Sequence, residues 1–184
     1  MSNETLLATG AVLLGAAITP GPNNLLAMQS GRAGPRAVAG LIASVVAGSL
    51  VLVTATWFGG AALFARLPAL RGVLAIGGAV YLVWLGLGLI RRSPDRPAPA
   101  SLRSVLALQL VNPKSWIMAI AITSMPPHDA LGFATLAGLC VVIPAVCLTI
   151  WAAGGALLGR VAWFERAMGG LLVVSACALL VEIA

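Results

Sequence analysis

The feature that most constrains this chain is a run of 27 residues, Thr5 to Gly31, with no charged side chain. A helix of ~20 apolar residues crosses a bilayer, so the run predicts a first membrane span from about Thr5 to Ser30. Five more spans follow from the same criterion. They lie within Ala37–Ala65, over Gly72–Ile90 between Arg71 and Arg91, over about Ser104–Met125, within Ala130–Gly159, and over about Ala167–Ile183. Composition makes lipid the outer solvent. Of 184 residues, 60% are hydrophobic and 9% charged, whereas a soluble domain carries about a quarter charged. The length accommodates roughly six such spans with short connections and no soluble domain beside them. The expectation is an all-α integral membrane protein, one membrane domain over residues 1–184, surrounded by membrane lipid.

The net charge is +6, but the basic residues lie between the apolar runs, where membrane orientation rather than nucleic acid explains them. The loops after spans one, three and five hold Arg32, Arg36, Arg91, Arg92, Arg96, Arg103, Arg160 and Arg166, against Arg66 and Arg71 on the other side. This bias predicts that the first set is cytoplasmic and both termini are extracytoplasmic. Glu4 stands where a signal peptide would have a basic region, and the apolar run is longer than a leader's, so the N-terminus reads as a span.

An internal repeat supports the six-span count. Trp57-Phe58-Gly59-Gly60-Ala61-Ala62-Leu63 returns loosely as Trp151-Ala152-Ala153-Gly154-Gly155-Ala156-Leu157, and Ala75-Ile76-Gly77-Gly78 as Ala167-Met168-Gly169-Gly170. Pro20 falls opposite Pro113. These matches divide the chain into repeat one (residues 1–90), a cytoplasmic linker (91–103) marked by charge and proline, and repeat two (104–184). Three spans per half put the halves in opposite orientations, and an inverted 3+3 repeat is a transporter architecture.

Two places put proline and polar side chains inside otherwise apolar spans. In Thr19-Pro20-Gly21-Pro22-Asn23-Asn24 the prolines lack N–H groups, so Pro20 frees the carbonyl of Ala16 and Pro22 that of Ile18. The helix should break and restart at Pro22. Its N–H groups near Asn23 and Asn24 would then attract a carboxylate, and the freed carbonyls an ammonium. In Gln109-Leu110-Val111-Asn112-Pro113-Lys114, Pro113 frees the carbonyl of Gln109. A lysine at mid-span costs about 2.5–3.5 kcal/mol on the insertion scale, so Lys114 calls for a wet cavity or a carboxylate ligand. Broken segments at matching points of two halves are the best pointer to a substrate site. Pro20, Gly21, Pro22, Asn23, Asn24, Gln109, Asn112, Pro113 and Lys114 are the candidate residues for a small-molecule substrate.

Plainer readings stand beside these. The Asn and Gln side chains, with Gln29, are also suited to interhelical hydrogen bonding, and Lys114 reaches the cytoplasmic interface if its span starts late. Pro144 reads as a kink. Ser49, Thr54 and Thr56 read as bonded to their own helix, and the five tryptophans as interface anchors or packing. Cys140, Cys147 and Cys177 form no C-x-x-C and read as packing residues. No carboxylate lies deep in a span. No metal site, cofactor, nucleophile–base pair or phosphate loop is expected, and hence no enzyme. A thiol-relay redox enzyme would need paired cysteines at depth, and a passive scaffold would not need two matched breaks. Small residues of the third span (Gly72, Ala75, Gly77, Ala79 and Gly86) offer a packing face that would serve a homo-oligomer.

At these same residues the chain resembles the LysE/RhtB amino-acid exporters. Thr19-Pro20-Gly21-Pro22-Asn23-Asn24-Leu25-Leu26-Ala27, followed by Gly31 and Gly34, is similar to the family's opening motif. Gly78-Ala79-Val80-Tyr81-Leu82-Val83-Trp84-Leu85-Gly86 is similar to its third-span motif, and Leu108-Gln109-Leu110-Val111-Asn112-Pro113-Lys114 to its fourth-span segment. The resemblance covers nearly the whole chain, and the Pro-Gly-Pro-Asn-Asn form looks closest to the cysteine/O-acetylserine exporter branch. It implies export of small amino acids across a bacterial cell (inner) membrane, driven by proton motive force. Basic-amino-acid exporters of the family carry an acidic residue where this chain has Ser49 after Gly48. That departure implies a neutral substrate and removes an obvious proton carrier.

Overall fold

The computed structural model describes residues 2–60, 62, 66, 68–91, 102–158, 166–167, 169–171, 173–174 and 176–177. Its elements are α1 (Asn3–Ile18), α2 (Pro22–Ala33), α3 (Pro35–Ala55), a π-helical turn (Thr56–Gly60), α4 (Pro68–Arg91), α5 (Leu102–Val111), α6 (Pro113–Thr123) and α7 (Ala130–Leu158). Among the described residues there is no strand. The all-α expectation holds.

Two stretches are long and apolar enough to cross a membrane alone, Pro35–Gly59 and Ala130–Leu157. Two more spans follow if each bent pair counts as one: α1 with α2, bent by 61°, and α5 with α6, bent by 67°. The predicted third span falls within α4. Most of the predicted sixth span, and most of the linker expected over 91–103, lie outside the described residues.

Proline at the first helical position starts α2, α3 and α6, where its missing N–H loses nothing and its fixed φ is already helical. Between α2 and α3 the chain turns at Gly34, whose φ of 106° lies where glycine is favoured. At the start of α7 the Asp129 carboxylate accepts the Gly132 N–H at 2.6 Å, satisfying one orphan donor of the helix. α7 runs on through Pro144.

The core is in two apolar clusters, and the same chain segments pass through both. One holds Leu26 and Ala27 of α2, Leu41 and Val45 of α3, Val105 and Leu108 of α5, and Leu148 and Ala152 of α7. The other holds Leu13 of α1, Leu52 and Val53 of α3, Ala119 and Ile122 of α6, and Leu136 and Cys140 of α7. Both helix breaks, with Gly48-Ser49 of α3 and Pro144 of α7, fall in sequence between the residues given to each cluster. The polar groups therefore occupy a level between two oily layers. A smaller cluster of Leu25, Ala79, Leu82 and Ala176 joins α2 and α4 to the C-terminal segment. Ala79 is thus packed inside this chain rather than free for a second copy.

Close backbone approach holds the frame. A Cβ on Gly31 would lie 1.9 Å from the Ala152 carbonyl oxygen, and one on Gly155 would lie 2.1 Å from that of Met28. α2 and α7 therefore touch backbone to backbone, as small residues allow in lipid. Gly48 does the same for the site: a Cβ there would meet Gln109 Cβ at 2.8 Å.

Candidate functional site

The first break falls where the prolines dictate. α1 ends at Ile18, Thr19 and Gly21 are extended, and α2 starts at Pro22 with no side-chain cap. The carbonyls expected to be free for an ammonium were those of Ala16 and Ile18. Asn24, only 4% exposed, turns back and donates from Nδ2 to two other carbonyls, those of Ala17 (3.0 Å) and Thr19 (2.8 Å). Both of its N–H donors are used in closing the end of α1. Asn24 is a structural clasp, and the 61° bend is what brings it within reach of α1.

The second break is a single residue. Asn112 is extended, and its Oδ1 accepts the backbone N–H of Lys114 at 3.1 Å, capping α6. Its own N–H still closes on Leu108 at 2.8 Å. The indole of Trp116, expected to anchor at an interface or to pack, donates to the Leu110 carbonyl at 2.7 Å. The end of α5 is thereby closed as well.

The two breaks meet. Asn23 Nδ2 donates to Gln109 Oε1 at 2.8 Å across 86 residues of sequence. Ser115 Oγ donates to the same oxygen at 3.0 Å. On the other side of the amide, Gln109 Nε2 donates to Ser49 Oγ at 3.0 Å and to the Val45 carbonyl at 3.4 Å. Gln109, 3% exposed, is thus saturated with two donations and two acceptances. Its side chain joins α2, α3 and α6. Asn23 Oδ1 is different: it is buried and has no partner, an exception that invites an explanation in so polar a place.

Around this network lies a cavity of about 110 Å³, room for several water molecules. Seven of the nine candidate residues line it: Gly21, Pro22, Asn23, Asn24, Gln109, Asn112 and Lys114. Pro20 is exposed and acts by ending α1. Lys114 extends toward the first break: its Nζ is 3.6 Å from where a Cβ on Gly21 would stand. That places the ammonium beside the first break. Among the described residues that line the cavity there is no Asp or Glu. Leu13, Leu52, Val53, Ile122 and Leu148 supply an oily part of the wall.

Sequence reasoning missed Ser115 altogether and assigned Ser49 to its own helix. Thr56 does bond its own helix, to Leu52 at 2.9 Å. The available signal for Ser115 was its place two residues past Pro113, in the first turn of the restarted helix. Among the described residues no group of three or more His, Cys, Asp or Glu could hold a metal ion.

Comparison with known proteins bears on this geometry. The family model of the LysE type translocators matches residues 14–183. The arginine exporter protein ArgO of Serratia proteamaculans (strain 568) is 31% identical over 157 residues, 84% of this chain and 75% of that protein. The leucine efflux protein of Enterobacter sp. (strain 638) is 32% identical over 116 residues, 56% of this chain and 54% of that protein. No solved structure matches. These relatives are named for arginine and leucine, and not for cysteine or O-acetylserine. The branch suggested by Pro20-Gly21-Pro22-Asn23-Asn24 is therefore replaced by the family as a whole.

Proposed function

We propose that this chain, which belongs to the LysE family of translocators, exports a small amino acid whose α-carboxylate and α-ammonium are held between the two helix breaks. It is a transporter and not an enzyme, and the family with its apolar helices makes it a bacterial inner-membrane protein. One observation carries the reading of the site: an ammonium, that of Lys114, and the uncapped start of α2 meet in one cavity beside a buried acceptor without a partner. A helix N-terminus carries roughly half a positive charge. Together with Lys114 it suits the substrate carboxylate. Asn23 Oδ1, buried and without a partner, then takes the substrate ammonium.

The side chain of the substrate would face the oily wall. Ser49, and a lining without carboxylate, favour a neutral aliphatic amino acid such as leucine over a cationic one. The arginine reading has its own support in the ArgO likeness, which covers 84% of the chain. Efflux of labelled leucine and arginine from cells or inverted vesicles separates the two; efflux of arginine but not leucine would reverse the preference. The wider frame is proposed with it: six spans in an inverted 3+3 repeat, both termini extracytoplasmic, proton motive force as the driving force. A reporter fusion that reads the C-terminus as cytoplasmic would remove that orientation.

The site has a sharper test in Lys114→Met, which keeps the stem and deletes the charge. Transport should fall about a hundredfold, since truncating one partner of a buried charge pair costs several kcal/mol. Thermal stability in detergent should hold or rise, because the lysine's insertion cost is relieved. Normal export by this variant would refute the site.

A further inference from the structure

The buried amide relay running from α3 to the cavity has a direction, and the direction is fixed by a group that cannot change its role. A backbone carbonyl only accepts hydrogen bonds. The Val45 carbonyl therefore requires that the end of Gln109 facing α3 be the NH₂ group. Gln109 must then present Oε1 to the cavity side, where Ser115 Oγ and Asn23 Nδ2 both donate to it. Asn23, having spent its NH₂ on Gln109, is left with Oδ1 buried and without a partner. Which end of an amide is oxygen is ordinarily assigned from the surrounding network, and here the network ends on a fixed acceptor. Gly48 makes the arrangement possible, since any side chain there would displace the Gln109 stem.

From this we infer that Gln109 is a positioning residue that sets the polarity of Asn23, so that the cavity offers an acceptor and admits a ligand bearing a donor at that point. The inference rests on the proposed reading of the cavity as the amino-acid site. It assigns selection for the α-ammonium group to a residue that does not touch the substrate. A 2-keto acid keeps the carboxylate and replaces the ammonium by an oxygen that can only accept. Oxygen would then face oxygen, and sites that leave a buried polar group unpaired reject such analogues strongly.

The test uses proteoliposomes of the full chain. Leucine, serine and arginine are each set against their own 2-keto acids, and the preference for amino acid over keto acid is measured. Gln109→Met keeps the stem that packs on Gly48 and removes the amide, so Asn23 is free to turn its NH₂ toward the cavity. The preference should fall by about tenfold or more, chiefly because the keto acid is now accepted. A merely structural role would lower both substrates together, and that result overturns the inference.

Asn23→Asp gives an independent reading. With Gln109 locked, the new carboxylate confronts Oε1, so amino-acid export should drop. In the Gln109→Met background the same carboxylate is a permanent acceptor and should restore the preference. If Asn23→Asp alone exports as well as the original chain, Gln109 is not locked and the inference fails, whether or not Gln109→Met folds. If Asn23→Leu and Lys114→Met both leave export untouched, the reading of the cavity itself fails, and the inference falls with it.

Discussion

The two helix breaks, one between α1 and α2 and one between α5 and α6, solve opposite problems with the same residue type. Between α1 and α2 Thr19 and Gly21 are extended, and Asn24 uses its donors to bond carbonyls at the end of α1. At Asn112 a single residue is extended, and its side-chain oxygen silences an N–H at the start of α6. The start of α2 is left without a side-chain cap. One break therefore exposes a helix N-terminus, and the other, with its own N-terminus capped, contributes a lysine. The two breaks thus differ in what they present. Residues of both line one cavity, in a layer where lipid would provide no hydrogen bonds.

The comparison can be broken from the first break. Asn24→Leu keeps the buried volume and removes the clasp, leaving the Ala17 and Thr19 carbonyls without partners. Each such group costs about 1–3 kcal/mol, so thermal unfolding in detergent should show a loss of about 2–6 kcal/mol. Export should fall with it, since the start of α2 would no longer be held under Lys114. Unchanged stability would mean that water or other groups satisfy those carbonyls, and that the first break needs no clasp.

At the second break the corresponding change is milder. Asn112→Ala removes one cap bond, typically about 1 kcal/mol, because Pro113 still starts α6 and Trp116 still closes on Leu110. A cost equal to that of Asn24→Leu would show that the two breaks are equivalent after all.

How much of this could be read in the sequence follows from the range of each force. Proline acts on its own backbone, so the positions of both breaks and the restarts at Pro22 and Pro113 were legible. So was the isolation of Lys114, since a lone charge in an apolar run must find a polar neighbour. The bonds made across the bends were not. Asn24 finds Ala17 and Thr19 only after the chain has turned 61°, and Ser49 finds Gln109 only because Gly48 admits its stem. Residue order alone therefore could not show that Asn24 bonds the Ala17 and Thr19 carbonyls, or that the Gln109 side chain spends its amide on Asn23, Ser115, Ser49 and Val45.

The finest distinction lies within the relay, between Ser49→Ala and Ser115→Ala. Each removes one of two bonds at one end of the Gln109 amide, and such bonds between membrane helices average about 0.6 kcal/mol. Both variants should therefore stay folded, with unfolding free energy lowered by about that amount. Their effects on export should still differ in kind. Ser115 bonds the same oxygen as Asn23 and lies on the restarted helix, so its loss leaves the Asn23 bond and the polarity intact. Ser49 shares Nε2 with the Val45 carbonyl, whose bond is the longer at 3.4 Å. Without Ser49 the amide is held in its orientation by that weaker contact alone. Ser49→Ala should then relax the preference for amino acid over keto acid about threefold, the equivalent of roughly 0.6 kcal/mol, while Ser115→Ala leaves it unchanged. Equal preference in both variants would mean that the orientation of Gln109 is fixed on the cavity side by Asn23, and the direction of the relay would have to be read from the other end.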